Sequence, residues 1–219
     1  MAEMHDTTEE YLEQILELEE EGTRPMRARL VERLNLSAAA VSETVGRLEE
    51  NGFVELRDDR SLRLTTKGRN LATTVVRRHR LAERLLLDVI GLEWEKVHRE
   101  ADRWEHAISS DVEEKLVELL GDPMTCPHGN PIPGSKRTAP TAVSVALADA
   151  EPGPVTVSRI SEKLELSDSG LQLVANARLI PGAHAEVVGR GPEGVQVRTA
   201  VGDTTVPDEI AEQMYVSAA

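Results

Sequence analysis

Cysteine, lysine and aromatic residues are scarce in this chain, and long apolar runs are missing. The single cysteine, Cys126, excludes an intrachain disulfide and is consistent with a reducing cytoplasm. No apolar run reaches the roughly 18 to 20 residues of a membrane-spanning helix, because Asp88 interrupts the stretch LLLDVIGL. The acidic start, MAEMHDTTEE, lacks the apolar core of a secretory signal. We therefore expect a cytoplasmic protein without membrane contact.

Basic residues are outnumbered by acidic ones. The chain carries 25 basic and 39 acidic side chains, a formal net charge of −14, and only five of the basic residues are lysines. An acidic, lysine-poor surface is typical of proteins from salt-loving microbes, and it repels polyanions at long range. Because concentrated salt screens that repulsion, DNA binding through local contacts is not excluded.

The N-terminal part has the pattern of a winged helix-turn-helix. Two short amphipathic helices are joined by a tight turn at Asn35 and Leu36. Two predicted strands, Phe53–Arg57 and Leu62–Thr65, surround the turn Asp58–Ser61 and would form a wing. The alternative is a small helical core that carries arginines without a DNA-binding role.

Histidines and acids alternate in the segment from residue 79 to residue 106. On a helix, residues three or four apart share a face, and this spacing pairs histidines with carboxylates as metal ligands require. The candidates are His79, Glu83, His98, Asp102, Glu105 and His106. Gly91 is expected to break the segment into two helices that could bring these groups together. The alternative is a solvated polar face that carries a few histidines.

The remaining sequence divides into helices, a linker and a tail with strand patterns. We predict a DNA-binding domain at residues 1–67, a helical domain at 68–121, a proline-rich linker at 122–154 and a small β-barrel at 155–219. Apolar side chains of LLLDVIGL, with Trp104, exceed what one helical layer needs. They favour either a dimer interface or an intrachain core.

Several motifs carry a resemblance to a known family. DTTEEYL, RPMRARLVERL, RHRLAERLLLDVIGL, KVHREADRWEH and GNPIPG together resemble the diphtheria toxin repressor family of metal-dependent transcription regulators. The resemblance implies a mainly α fold with a winged helix-turn-helix N-terminal domain, a helical dimerisation and metal-binding domain, and a C-terminal SH3-like β-barrel. It also implies a homodimeric repressor of metal-uptake genes that binds double-stranded operator DNA and is not an enzyme.

The resemblance also implies two metal sites. The primary site would comprise Glu10, Asp102, Glu105 and His106, with Glu13 as an additional ligand, and the ancillary site would comprise His79, Glu83 and His98. Iron-responsive members have methionine at position 10 and cysteine at position 102, whereas this chain has carboxylates, as the manganese transport regulators do. Because hard oxygen donors suit Mn(II), we expect Mn(II), with Fe(II) as the other choice.

Other positions are less specific. In the family a Glu and a Gln of the third domain complete the ancillary site, and here Asp168 or Gln172 is a candidate. Cys126 and His128 could form a further metal or redox site. Thr7 with Glu10 also fits a capping box at a helix start.

The expected DNA contacts lie on the recognition helix, on the wing and near the first two helices. They are Thr7, Arg27, Ala28, Ser37, Ala39, Ser42, Glu43, Arg47, Arg60 and Ser61. Glu43 stands where the family has Gln, and a carboxylate accepts from cytosine but cannot donate to adenine. Two alternative functions are a winged-helix regulator that senses an organic ligand and a metalloenzyme. The enzyme would need an open coordination position and a nearby base, which the sequence does not identify.

Overall fold

The computed structural model describes residues 2–137 and 144–219, so residues 138–143 of the predicted linker lie outside the described part. The described residues form two compact units. The first contains the residues up to His79 together with Glu105–Ile108, and the second contains Arg80–Trp104 and the residues from Ser109 onward. The predicted DNA-binding domain ends at residue 67, whereas the first unit continues to His79 and also takes Glu105–Ile108, and the second unit combines the helical and C-terminal segments.

The first unit contains the helix-turn-helix and the wing. Its elements are α1 (Ala2–Glu20), α2 (Arg27–Leu34), α3 (Ala38–Glu50), β1 (Val54–Leu56), β2 (Leu62–Leu64) and the first part of α4 (Thr66–Arg84). Asn35, with a φ of 51°, ends α2 in the left-handed region, and the Ser37 hydroxyl accepts from the Ala40 N–H at the start of α3. The predicted turn is confirmed, and Ser37 caps α3. Apolar side chains of α1, α2, α3 and both strands form one core.

The wing is a two-stranded antiparallel hairpin. Val54 lies opposite Leu64, and Leu56 lies opposite Leu62. Arg60 at the tip has a φ of 65°, which a tight turn between the strands requires. The strands are shorter than predicted, but the predicted wing is confirmed.

The predicted capping box at Thr7 is wrong. Helix α1 begins at Ala2, so Thr7 lies inside the helix rather than at its start. The residues before Thr7 include Ala2, Glu3 and Met4, which favour helix and extend it toward the N-terminus.

The helical part of the second unit begins at the end of α4. A π-helical segment, Leu85–Ile90, continues α4 and ends at Gly91, whose φ is 80°. A 3₁₀ turn at Trp94–Lys96 leads into α5 (Val97–Trp104), and α6 (Ser110–Leu120) follows. The predicted break at Gly91 is confirmed.

The C-terminal part is a six-stranded antiparallel sheet. Its elements are β3 (Val145–Ala146), β4 (Gly153–Ile160), α7 (Glu162–Glu165), α8 (Asp168–Asn176), β5 (His184–Gly191), β6 (Gly194–Thr199), β7 (Gly202–Val206), α9 (Asp208–Ala211) and β8 (Met214–Ala218). The strand order is β3-β8-β4-β5-β6-β7, so the last strand pairs between the first two. Strand β4 ends beside α7, which Ser161 caps by accepting from the Leu164 N–H. The sequence did not predict β3, α7, α9 or β8.

A tight turn in the proline-rich region packs against β4. The Cys126 N–H donates to the Asn130 carbonyl over 2.8 Å, and the Ile160 N–H donates to the His128 carbonyl over 2.9 Å. A Cβ on Gly129 would lie 2.3 Å from the Ser158 carbonyl oxygen, so only glycine allows this approach. The turn therefore holds Cys126 and His128 beside the end of β4.

Candidate metal centres and DNA-contact surface

Three buried side chains of the first unit form a cluster that we name the first centre: Glu13, His79 and Glu105. Glu13 comes from α1, His79 from α4, and Glu105 from the 3₁₀ turn Glu105–Ala107. His79 Nδ1 lies 2.5 Å from Glu105 Oε2, and one ligand atom from each residue lies within 4.8 Å of the others. Two carboxylates and an imidazole at this separation are a suitable donor set for a divalent ion.

The acids in and around the first centre repel one another, and this repulsion affects the pKa of Glu13. Burial raises the pKa of the Glu13 carboxyl well above its usual range, and the negative charges of Glu105 and Glu17 raise it further. His79 opposes this effect, because its positive form would favour the carboxylate. The proximity of Glu105 thus makes the Glu13 carboxyl hold its proton more tightly. A bound cation would replace that proton, so the cluster fits a metal ion.

His106 lies beside two acids, Glu9 and Glu105. Its Nδ1 lies 2.7 Å from Glu9 Oε2, and its Nε2 lies 3.3 Å from Glu105 Oε1. Glu10, the predicted ligand, is exposed on α1. His106 therefore borders the first centre through Glu105.

Five buried side chains of the second unit form a cluster that we name the second centre. They are Glu83, His98, Cys126, His128 and Glu165. His128 Nδ1 lies 2.8 Å from Glu83 Oε1 and 2.7 Å from Glu165 Oε2, while His98 Nδ1 lies 3.1 Å from the same Glu165 oxygen. Ligand atoms of Glu83, Cys126 and His128 lie within 4.8 Å of one another. Four separate segments of the chain meet here.

The charges of the second centre are strongly coupled. Burial lowers the pKa of His98 and of His128, but the adjacent Glu165 and Glu83 outweigh burial and raise both pKa values well above the usual range. Burial and the negative charge of Glu162 raise the pKa of Glu165. Burial and the charge of Glu83 raise the pKa of the Cys126 thiol to about 12. Without a metal ion, the thiol is therefore protonated at neutral pH.

An unsatisfied nitrogen supports metal binding at the second centre. His128 Nε2 is buried and has no hydrogen-bond partner among the described residues. Such a group is costly unless a ligand or an ion satisfies it. The carboxylates and imidazoles of the second centre suit Mn(II). The thiolate is a soft donor, so the full set also suits Zn(II), Fe(II) or Co(II).

The predicted ancillary ligands belong to both units. His79 lies with Glu13 and Glu105 in the first unit, and Glu83 lies with Cys126 and His128 in the second. Asp102 is half-exposed on α5, and its Oδ1 lies 3.8 Å from His98 Nε2.

The third-domain candidates are also different. Asp168 is exposed and lies 3.8 Å from Arg99, and Gln172 donates to Asn176. Glu165, three residues before Asp168, instead lies beside His98 and His128 in the second centre. The available signal was the pair Glu162 and Glu165, which are three residues apart and therefore share one face of α7.

The predicted DNA contacts lie mainly on the surface of the first unit. Seven of them are exposed: Ala28, Ser37, Ala39, Ser42, Glu43, Arg47 and Arg60. Three are half-buried: Thr7, Arg27 and Ser61. On α3 the Arg47 guanidinium donates to the Thr44 hydroxyl over 3.0 Å and lies 3.9 Å from Glu43. At the wing, the Ser61 hydroxyl donates to Asp59 over 2.6 Å. Side chains of α3 and the wing tip are thus available to a DNA groove and backbone.

A winged helix-turn-helix joined to buried carboxylate–imidazole clusters defines the class of metal-responsive DNA-binding regulators. Comparison with known proteins agrees with this class. Residues 3–62 match the family described as iron dependent repressor, N-terminal DNA binding domain, and residues 65–134 match the iron dependent repressor, metal binding and dimerisation domain. The chain belongs to the iron-dependent repressor family.

Individual relatives span most of the chain. The iron-dependent repressor IdeR of Mycobacterium tuberculosis is 44% identical over 238 residues, covering 99% of each chain. The diphtheria toxin repressor of Corynebacterium diphtheriae is 45% identical over 198 residues, covering 87% of this chain and 88% of that protein. A solved manganese-dependent transcriptional repressor in complex with manganese is 30% identical, with a TM-score of 0.83, and the match covers 97% of this chain and 100% of that one.

These comparisons confirm the predicted family, the fold class with its SH3-like C-terminal sheet, and the function as a metal-dependent DNA-binding repressor. They also confirm operator DNA and a second copy of the chain as partners, and iron or manganese as the metal. Among the described residues, no helix is both long and apolar enough to span a membrane.

Proposed function

We propose that this repressor responds to Mn(II) in preference to Fe(II), and that the first centre is where the response begins. The donor set of that centre carries the proposal, since Glu13, His79 and Glu105 offer only oxygen and nitrogen atoms. Position 102 of the chain is likewise a carboxylate, Asp102, rather than a sulfur donor. Hard oxygen donors suit Mn(II), and selectivity among divalent metals follows donor type and geometry more than raw affinity.

Metal bound at the first centre would supply positive charge that neutralises two buried carboxylates. The ion would then connect three elements: α1 through Glu13, α4 through His79, and the turn that follows α5 through Glu105. The three side chains would be fixed relative to one another, and the proton held by Glu13 would be released. Because α1 also belongs to the core of the helix-turn-helix, the position of the recognition helix becomes linked to the metal. Such linkage raises DNA affinity only if metal prefers the DNA-competent arrangement.

The remaining predicted ligands extend this proposal. Glu10 and His106 contribute to the first centre when metal is bound, and Glu83 with His98 holds a second ion, with Asp102 beside His98. For the second ion, Cys126, His128 and Glu165 supply the further donors.

The dimer contact is proposed for apolar side chains of the helical segment in the second unit. Val89 and Ile90 at the end of the π-helical segment are each 55% exposed, and Leu119 on α6 is 62% exposed. Large apolar side chains grouped on a surface mark an interaction site. We infer that the protein represses metal-uptake genes in the cytoplasm and has no catalytic activity, because its relatives are repressors.

Operator binding measured by gel shift tests the proposal, with Mn(II), Fe(II), Co(II) and Zn(II) each added at high salt. Mn(II) should tighten binding at the lowest free concentration, and Glu105→Gln should remove that effect. Glu114→Gln, an equal charge change on the exposed face of α6, serves as the matched control. Operator affinity that is the same with and without Mn(II) would refute the proposal. Tightening by Fe(II) at a lower free concentration than Mn(II) requires would refute the preference.

A further inference from the structure

Three acids spaced four residues apart follow one face of α1 and its C-terminal end: Glu13, Glu17 and Glu21. The Glu21 N–H donates to the Glu17 carbonyl over 2.9 Å, so the helical path continues one residue past Glu20. Glu13 belongs to the first centre, whereas Glu17 and Glu21 do not. Glu17 is nonetheless buried, with 4% of its surface exposed. The metal function described so far does not use it.

Arg33 binds the two acids outside the first centre. Arg33 lies in the last turn of α2, and its Nη1 lies 3.5 Å from Glu17 Oε2 while its Nη2 forms an ion pair with Glu21. All three side chains are less than a tenth exposed. Gln14 also donates to Glu17, since its Nε2 lies 2.9 Å from Glu17 Oε2. The ion pair therefore joins α1 to the first helix of the helix-turn-helix.

A buried ion pair of this kind needs a reason other than stability. Removing charges from water costs several kcal/mol per ion, and apolar residues of similar volume often stabilise a protein more. The ion pair is directional: a guanidinium between two carboxylates fixes one axial register of α2 against α1. Apolar contacts between the same helices would tolerate sliding. Glu17 also lies near enough to Glu13 for its charge to act on that carboxyl.

We propose that the buried Glu17–Arg33 ion pair transmits occupation of the first centre to the helix-turn-helix, with Glu17 as a positioning residue. The proposal rests on the metal centre proposed above. When Glu13 is fixed by a metal ion, the roll and axial position of α1 are fixed one turn before Glu17. The ion pair then fixes the position of α2. Because the turn at Asn35 is tight, the position of α3 is fixed as well. Glu17 binds neither metal nor DNA in this scheme.

Glu17→Gln tests the connection with little disturbance of the fold. The substitution keeps the size of the side chain and leaves the Arg33–Glu21 ion pair in place. Mn(II) affinity is measured by calorimetry, and operator affinity is measured with and without Mn(II). We expect Mn(II) affinity without DNA to shift only slightly, through the loss of the Glu17 charge near Glu13. The Mn(II)-induced gain in operator affinity should fall on the order of tenfold, within the range of coupling energies between sites.

Reciprocity gives a second way to measure the same loss of coupling. If Mn(II) no longer tightens operator binding, operator DNA must equally fail to tighten Mn(II) binding. Glu19→Gln is the matched control, because Glu19 lies on the same helix and its ion pair with Arg69, at 2.6 Å, is exposed. The control should keep the wild-type gain. Arg33→Lys, which keeps the charge but loses the fork that spans two carboxylates, should retain part of it.

The outcomes separate this proposal from the metal proposal. A wild-type protein whose operator affinity is unaffected by Mn(II) would refute both. A wild-type gain that Glu17→Gln retains in full would refute the ion-pair connection alone, as would an equal loss in Glu19→Gln. If Glu17→Gln melts well below the wild type, Glu17→Asp replaces it: the shorter carboxylate keeps the charge and withdraws from Arg33. A full gain in that variant would likewise refute the connection.

Discussion

Replacing Glu13 by glutamine should separate metal binding from the stability of the metal-free protein. Glu13 is 6% exposed, and burial together with the charges of Glu105 and Glu17 raises its pKa. A carboxyl whose pKa is raised by folding stabilises the folded state below the unfolded pKa, and that contribution is lost as pH rises through the folded pKa. At neutral pH the metal-free protein gains little from Glu13. The glutamine variant should therefore be at least as stable without metal.

The metal-bound protein should show the opposite effect. Loss of an outer-shell partner costs about 10- to 100-fold in metal affinity, so loss of a charged direct ligand should cost about 100-fold. At free Mn(II) equal to about 100 times the wild-type dissociation constant, one site stabilises the wild type by about 2.7 kcal/mol and the variant by about 0.4 kcal/mol. The difference, about 2.3 kcal/mol, corresponds to roughly 5–9 °C in melting temperature for a chain of this size.

Thermal melting with and without Mn(II) measures both effects in one assay. The second centre contributes to both proteins alike, so the difference between them reports on the first centre. Glu19→Gln, on the exposed side of α1, should keep the wild-type rise in melting temperature with Mn(II). An equal rise in melting temperature for the wild type and Glu13→Gln would show that Glu13 is not a ligand. A variant that melts several degrees lower without metal would refute the electrostatic argument.

Three further substitutions test other parts of the structure. Cys126→Ser should weaken Zn(II) and Co(II) binding more than Mn(II) binding, because it removes the only soft donor of the second centre. Equal losses of affinity for the three metals, measured by calorimetry, would contradict this prediction. Glu43→Gln should shift base preference from cytosine toward adenine in operator selection. Arg80→Ala should lower the free energy of unfolding by roughly 3–5 kcal/mol. The reason is that the buried Glu162 carboxylate, 2.9 Å from Arg80, loses the guanidinium that balances its charge. A loss under about 1 kcal/mol in urea unfolding would contradict that estimate.

Local signals explain why the helix-turn-helix could be predicted. Asn35 in the left-handed region, Ser37 as a cap and apolar residues at helical spacing each act within a few residues of the chain. The strands of the C-terminal sheet alternate clearly and were largely predicted. Strand β8 was missed because MYVSA is short, and its position between β3 and β4 depends on pairing with strands more than 50 residues away.

The metal centres show the limit of helical spacing as a guide. The pattern i, i+4 selected His79, Glu83 and His98 as candidate ligands, but it could not tell which residues meet across the chain. His79 and Glu105 are 26 residues apart, and Glu83 and His128 are 45 residues apart. Such contacts depend on tertiary packing. The contact of His128 with Glu83 depends on the turn that Gly129 allows beside β4. Glu165 was missed for the same reason.

The two centres differ in what a bound ion would connect, and this difference assigns them different roles. The ligands of the second centre come from α4, α5, α7 and the turn around His128, all within the second unit. An ion there cross-links distant segments of one unit, so its binding energy adds to folding energy. The first centre instead includes Glu13, on the helix that packs within the helix-turn-helix core. Loss of His128 should therefore lower stability, whereas loss of Glu13 should remove the effect of metal on DNA binding.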